Sequence, residues 1–138
     1  MRVLIDTNIV LDFLLQREPF FQDAELLFQK IDSGFVIGYA TATTLTDIFY
    51  IARRHTRSIE QAQQAVLETL TAMEICPVNR AILESAFVLG SVDFEDSVQV
   101  ACALAQGLDA IITRDTDFVS TLIPVLSIGE VLQQLSGE

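Results

Sequence analysis

The sequence predicts an α/β fold, a three-layer sandwich in which a mostly parallel five-stranded sheet lies between helices on both faces. Short apolar runs rich in β-branched residues, typical of strands buried on both faces, alternate with longer segments whose apolar residues recur at helical spacing. Strands that are separated by helices pair in parallel, because the crossover helix returns the chain to the same end of the sheet. The chain has 138 residues, of which 51% are hydrophobic, and we expect one domain over residues 1–138.

The first strand and helix show this pattern most clearly. Val3-Leu4-Ile5 is an apolar run too short for a helix, and from Thr7 to about Arg17 the apolar residues recur at helical spacing. Asp6 stands between them, at the carboxyl end of a predicted central strand, which is the edge where open α/β sheets bind ligands. The alternative is that Asp6 only caps the helix that follows it.

The remaining elements follow from the same periodicity. Further helices are predicted at about 20–31, 41–55, 58–73, 81–89, 93–107 and 129–135, with a helical turn or short helix at 115–122. Further strands are predicted at 35–40, 75–78, 110–113 and 124–126. The strand at 75–78 contains Pro77, which cannot donate a ladder hydrogen bond, so we expect it near the edge of the sheet.

The composition limits the possible partners. The net charge is −11, from 19 acidic and 8 basic residues, which argues against a protein that coats nucleic-acid phosphates non-specifically. The charge leaves two alternatives, an acidic pocket that binds a cation or a surface that is acidic for solubility. No apolar run is long enough to cross a membrane, and Asp6, Asn8 and Asp12 argue against a secretory signal. Cys76 and Cys102 lack metal-ligand spacing, so we expect buried thiols in a reducing cytoplasm.

Acidic residues occur in three further places that resemble the position of Asp6. Asp47 lies in the first turns of a predicted helix among strongly apolar neighbours, although pairing with the positive end of the helix dipole explains it equally well. Asp93-Phe-Glu-Asp96 begins another helix, where Asp93 suits the N-cap, but capping does not account for three acids in four residues. Asp115 follows the fourth predicted strand, as Asp6 follows the first, and Asp117 is compatible with a turn.

Together these acids predict a metal site at one edge of the parallel sheet. No lysine occurs among them, and an all-oxygen site of this kind suits Mg²⁺ or Mn²⁺. Carboxylates that hold one or two such ions can activate a water and support an in-line displacement at phosphorus. The single histidine, His55, lies among arginines at a helix end, so no Ser-His-Asp set is available, and the sequence contains neither a P-loop nor a GxGxxG motif.

Four segments resemble the motifs of the PIN-domain ribonucleases, a family found as toxins of bacterial toxin–antitoxin pairs and as solitary nucleases. The segments are Leu4-Ile-Asp-Thr-Asn-Ile-Val-Leu-Asp12, Thr44-Leu-Thr-Asp-Ile-Phe-Tyr-Ile51, Asp93-Phe-Glu-Asp-Ser-Val-Gln-Val-Ala101 and Ile111-Ile-Thr-Arg-Asp-Thr-Asp-Phe118. Each motif is loose, but their order and spacing over essentially the whole chain are specific. The resemblance implies a metal-dependent endoribonuclease that cleaves single-stranded RNA, with an antitoxin partner if it is a toxin, and commonly a homodimer.

The resemblance also assigns roles to individual residues. The catalytic acids of the family correspond to Asp6, Asp47, Asp96 and Asp115. Asp6 and Asp96 would be the main ligands of Mg²⁺ or Mn²⁺, and Asp115 would bind it directly or through water. Asp47 replaces the commoner glutamate of the second motif, and its shorter side chain favours a water-bridged role. Arg114 is a candidate contact to RNA phosphates. The residues expected to support the carboxylates around the metal are Thr7, Asn8, Thr113 and Asp117.

Two other functions are compatible with these residues. The first is a non-enzymatic module that keeps the fold and binds metal or a regulator, which metal-dependent RNA cleavage tested against Asp6→Asn would distinguish. The second is another class of phosphoryl transfer, because response-regulator and haloacid-dehalogenase domains also carry Asp at strand ends. Against the second, Asp6-Thr7-Asn8 lacks a further acid two residues on, and no lysine follows any later strand.

Overall fold

The computed structural model describes residues 1–137 and contains a five-stranded sheet in the order β3-β2-β1-β4-β5. The strands are β1 (Arg2–Ile5), β2 (Ile37–Thr41), β3 (Glu74–Cys76), β4 (Ala110–Ile112) and β5 (Val125–Leu126). All four neighbouring pairs are parallel, and β1 lies in the centre, with Leu4 opposite Tyr39 on one side and Ile111 on the other. The predicted fold class is confirmed, and this sheet is parallel throughout.

Seven helices within residues 1–137 connect and flank these strands. They are α1 (Thr7–Leu14), α2 (Phe21–Asp32), α3 (Ala42–Thr56), α4 (Ile59–Ala72), α5 (Arg80–Leu89), α6 (Phe94–Gln106) and α7 (Ile128–Ser136). Six of them begin directly after a capping side chain that accepts a backbone hydrogen bond, and these caps include Asp6 for α1, Thr41 for α3 and Asp93 for α6. Each helix in this part of the chain is too short or too polar to cross a lipid bilayer.

The helices cover both faces of the sheet because successive residues of a strand point in opposite directions. On one face, Val3 and Ile5 of β1 belong to a core cluster with α1, α2, α3, α4 and α7. On the other face, Leu4 and Ile111 pack with residues of α5 and α6. The result is the predicted three-layer sandwich, and the buried carboxyl ends of its central strands hold the acids described below.

The segment after β4 differs from the prediction of a helical turn or short helix at 115–122. It consists of turns and bends. The backbone N–H of Asp115 donates to Oγ1 of Thr113 at 3.0 Å, and that of Asp117 donates to Oδ1 of Asp115 at 2.9 Å. Such local side-chain acceptors compete with helical hydrogen bonds for the same backbone donors, so they favour a turn.

Two strand boundaries differ from the prediction by two residues, and the others by at most one. The second strand begins at Ile37 rather than at Phe35, because the N–H groups of Phe35 and Val36 both donate to the carbonyl oxygen of Lys30 near the end of α2. The third strand ends at Cys76, before Pro77, and β3 is an edge strand as predicted. Cys76 and Cys102 are buried free thiols.

Candidate active site

Asp6 lies at the carboxyl end of the central strand and is held from three directions. Its Oδ1 accepts hydrogen bonds from the backbone nitrogen of Thr7 at 2.8 Å and from Nε2 of Gln99 at 3.0 Å. Its Oδ2 accepts a hydrogen bond from Oγ1 of Thr113 at 2.8 Å. The carboxylate therefore caps α1 and, at the same time, is bound to α6 and to the residue that follows β4. Asp6 therefore both caps α1 and lies at the carboxyl edge of the sheet, where open α/β sheets bind ligands.

Asp6 and Asp115 both lie close enough to Asp96 for their charges to act on it. Asp96 is in the first turn of α6, where its backbone N–H donates to Oδ1 of Asp93 at 3.2 Å. Burial, followed by the negative charges of Asp93, Asp6 and Asp115, raises the pKa of Asp96 to about 6. The start of one helix and the ends of two strands thus bring acids from separate parts of the sequence together.

Asp47 enters this cluster through Glu95, which the sequence did not single out. Burial is the largest cause that raises the pKa of Glu95 to about 7, and the next are the charge of Asp47 and a hydrogen bond between the two side chains. The charges of Asp6 and Asp93 raise the same pKa further. Glu95 therefore lies close enough to both Asp47 on α3 and Asp6 at the end of β1 for their charges to act on it. Its only sequence signal was the run of three acids in four residues.

The four residues expected to support the carboxylates have different contacts. Thr113 bridges two acids, because its Oγ1 donates to Asp6 and accepts from the backbone N–H of Asp115. Asp117 contacts Asp115 through its backbone N–H. The hydroxyl of Thr7 is 2.9 Å from that of Thr44, so Thr7 reaches Asp6 only through its backbone N–H. The side chain of Asn8 accepts from Arg17 at 3.3 Å and makes no hydrogen bond to an acid within residues 1–137.

Gln99 is a second site residue that the sequence did not single out. It is 2% exposed and lies three residues after Asp96, among the buried residues Val98, Val100 and Ala101. While its Nε2 binds Asp6, its Oε1 is buried without a hydrogen-bond partner within residues 1–137. Its spacing was the signal that could have identified it, because Gln99 lies three and four residues after Asp96 and Glu95 and therefore on the same side of α6.

The sequence that forms this site matches the model of a known protein family. The family model described as PIN domain matches residues 2–117, a span that includes Asp6, Asp47, Asp96 and Asp115. The chain belongs to the PIN domain family. No curated protein matches the sequence significantly.

Solved structures of similar fold include several toxin proteins. The DNA-bound VapBC of Salmonella typhimurium has a TM-score of 0.71 at 15% identity and covers 93% of this chain and 98% of its own. VapC20 of Mycobacterium tuberculosis, described as a sarcin-ricin loop cleaving toxin, has a TM-score of 0.69 at 16% identity and covers 84% and 92%. A toxin–antitoxin complex of Klebsiella pneumoniae has a TM-score of 0.68 at 19% identity and covers 91% and 97%. At these identities the similarity establishes the PIN fold alone.

The acids of this PIN domain are chemically suited to a hard divalent cation. Their donor set is made of carboxylate oxygens, and no Lys or Arg of residues 1–137 forms an ion pair with Asp6, Asp47, Glu95, Asp96 or Asp115. Within the same residues, no group of three or more His, Cys, Asp or Glu side chains is arranged so that it could hold a metal ion by itself. Mg²⁺ needs no such group, because it keeps several waters and binds through one or two carboxylates and its substrate. The residues present therefore fit this ion.

A buried ion triad supports the loop that carries Asp115 in this PIN domain. Asp12 is 1% exposed, and its Oδ1 lies 2.8 Å from Nη2 of Arg17. Its Oδ2 accepts from Nε of Arg114 at 2.8 Å, and the guanidinium of Arg114 lies 3.9 Å above the ring of Phe20. Arg114 thus ties the segment after β4 to α1. This structural role explains its position beside Asp115 without any contact to RNA.

An open cleft of about 700 Å³ adjoins the acids. Its walls combine Asp96 and Asp115 with apolar side chains, and Val92, Val119 and Leu122 are the most exposed of these. The wall of this cleft therefore combines acidic groups with exposed apolar side chains.

Proposed function

We propose that this PIN domain is a divalent-metal-dependent endoribonuclease that cleaves single-stranded RNA and acts as the toxin of a toxin–antitoxin pair. The observation that carries the proposal is the convergence of acids from four separate motifs around Asp6, without a Lys or Arg paired to them within residues 1–137. Such a cluster is electrostatically unfavourable by itself and is stabilised by a bound cation. Phosphodiester hydrolysis is the chemistry for which several clustered carboxylates and Mg²⁺ or Mn²⁺ are suited.

The residues of the cluster have distinct tasks in this proposal. Asp6 and Asp96 hold the cation, and Asp115 binds it directly or through water. When bound, the cation supplies an activated water and neutralises charge that develops on the phosphate oxygens. Asp47, whose carboxyl group is engaged by Glu95, acts through water rather than by direct coordination. Thr113 orients Asp6 by its hydrogen bond to Oδ2.

The apolar walls of the cleft support a macromolecular partner at this edge. The toxin–antitoxin complex of similar fold from Klebsiella pneumoniae supports an antitoxin as this partner. A second apolar surface, formed on α4 by Ile59, Leu67 and Leu70, is the candidate interface for a homodimer. Analytical ultracentrifugation at micromolar concentration tests the dimer, and a monomer would contradict it.

Arg114 retains one group for an RNA phosphate. Its Nε and Nη2 bind Asp12, whereas Nη1 makes no hydrogen bond within residues 1–137. A phosphate contact predicts that Arg114→Ala weakens RNA binding and lowers its salt dependence. Unchanged affinity and salt dependence in the folded variant would leave Arg114 with its structural role alone.

The decisive experiment compares cleavage of end-labelled single-stranded RNA in Mg²⁺, Mn²⁺ and EDTA. Wild-type protein should cleave only with metal, and Asp6→Asn and Asp96→Asn should lose that activity. Asp23→Asn makes the same chemical change at an exposed position in α2 and is the matched control. Cleavage that persists in EDTA or in Asp6→Asn would refute the assignment. Metal binding without cleavage of any RNA would favour the non-enzymatic module.

A further inference from the structure

Gln99 occupies a position where an apolar side chain would be the ordinary choice. It lies on the face of α6 that packs against the sheet, and it is 2% exposed with buried neighbours on both sides. A side-chain amide that leaves water must recover its hydrogen bonds inside the protein, whereas methionine or leucine of similar volume has none to recover. The amide therefore needs a reason beyond packing.

The amide nitrogen of Gln99 binds Asp6. Nε2 donates to Oδ1 of Asp6 at 3.0 Å, and the contact joins residues 93 positions apart in the sequence. With Thr7 and Thr113, it surrounds the carboxylate with three donors from three different elements. Three donors from different directions fix the orientation of the carboxylate.

The oxygen of the amide has no such partner. Oε1 is buried, and no donor within residues 1–137 reaches it. Turning the amide over would not help, because Oε1 would then face the Oδ1 of Asp6 and repel it. The oxygen is thus left as an acceptor without a donor in the described part of the chain, although buried acceptors are normally satisfied.

We propose that Gln99 is a positioning residue of the metal site: its Nε2 sets the orientation of Asp6, and its Oε1 accepts a hydrogen bond from a water carried by the bound cation. This inference rests on the proposed metal-dependent function. It gives a role to both Nε2 and Oε1 of the amide, and it explains why a buried position of α6 carries a polar residue. Partners that orient a metal-binding side chain commonly change metal affinity by roughly 10- to 100-fold when they are removed.

The test is Mn²⁺ affinity, measured with the metal alone by calorimetry and by electron paramagnetic resonance of free Mn²⁺. Gln99→Met keeps the volume and removes both polar groups, and we expect it to weaken Mn²⁺ binding by roughly tenfold or more. The same variant should melt no lower than wild type in EDTA, because it also removes the unpaired buried oxygen. Gln64→Met, on the exposed face of α4, is the matched control and should bind Mn²⁺ as wild type does.

The outcomes separate this inference from the proposed function. If wild type binds no Mn²⁺, the proposed function fails first. If wild type binds and Gln99→Met binds equally well, Gln99 is only a packing residue and the inference is refuted. If Gln99→Met does not fold, Gln99→Asn keeps the amide but shortens its reach to Asp6 by one methylene. It should then show the loss of Mn²⁺ affinity, and wild-type affinity in that folded variant would refute the inference equally.

Discussion

The buried carboxylate of Asp12 gives the largest stability effect that we expect from one substitution. Its two oxygens accept from Arg17 and Arg114, with shortest distances of 2.8 Å on each side. Asp12→Asn keeps the shape of the side chain but removes its charge, so two guanidinium groups lose their common counter-ion. Asp12 itself is 1% exposed, whereas the two arginines are 27% and 37% exposed.

The exposure of Asp12 and of the two arginines determines how much unfolding free energy Asp12→Asn should lose. Removing one partner of a fully buried ion pair costs about 3–5 kcal/mol. Because both arginines can regain water, we expect the lower limit, about 3 kcal/mol of unfolding free energy. The unfolding entropy is about 2.1 cal/mol/K per residue, so for 138 residues this loss corresponds to a fall in Tm of roughly 10 °C.

Urea denaturation followed by circular dichroism measures this loss, and Glu84→Gln is its matched control. Glu84 pairs with Arg80 on the surface of α5, where the two side chains are 63% and 92% exposed. Removing that charge should cost at most about 0.5 kcal/mol. If Asp12→Asn were no more destabilising than Glu84→Gln, the ion triad would not hold the loop after β4, and the structural role assigned to Arg114 would be wrong.

Three further predictions concern charge, metal and packing. The pKa values of Glu95 and Asp96 in the folded protein are raised to about 7 and about 6, so the folded site retains protons that the unfolded chain releases. The free energy of unfolding in EDTA should therefore increase as the pH falls from 8 toward 5. Equal urea midpoints across that range would contradict this prediction. Mn²⁺ at about 100 times its Kd should add about 2.7 kcal/mol to wild type in thermal melts, and an equal shift in Asp96→Asn would exclude Asp96 as a ligand. Gly38→Ala should cost about 1–3 kcal/mol in urea titrations, because its Cβ would lie 3.0 Å from Cδ1 of Ile31 and 3.1 Å from Cδ1 of Ile5; wild-type stability would mean that these side chains move aside freely.

The parts of the structure that the sequence predicted are those encoded by local periodicity. The run Val3-Leu4-Ile5 had to be a buried strand, because three consecutive apolar residues cannot leave either face of a sheet polar. The acid that follows it, Asp6, then had to lie at the carboxyl edge. Parallel pairing places the end of β4 at the same edge, which is why Thr113 and Asp115 were expected near Asp6.

The parts that sequence reasoning missed depend on contacts between distant segments. Glu95 and Gln99 differ from Asp96 by only one and three positions, and only the packing of α6 against β1 decides which of them reaches Asp6 or Asp47. The ion pairs of Asp12 were missed for the same reason, since its partner Arg114 lies 102 residues away. The turn after β4 was interpreted as helical because its side-chain acceptors are invisible to apolar periodicity.

The pairing of β1 with β4 has a consequence for how the protein is made. The contact between Asp6 and Thr113 closes a loop of 107 residues. The chain loses the conformational entropy of that loop before the pairing of β1 with β4 can stabilise the fold. A ribosome releases β1 first and β4 much later, so a nascent chain carries Asp6 and Asp47 without the acids that complete the cluster. The site is assembled only after residue 115 has emerged. For a protein proposed to cut RNA, the nuclease site is therefore completed only late in the synthesis of this domain.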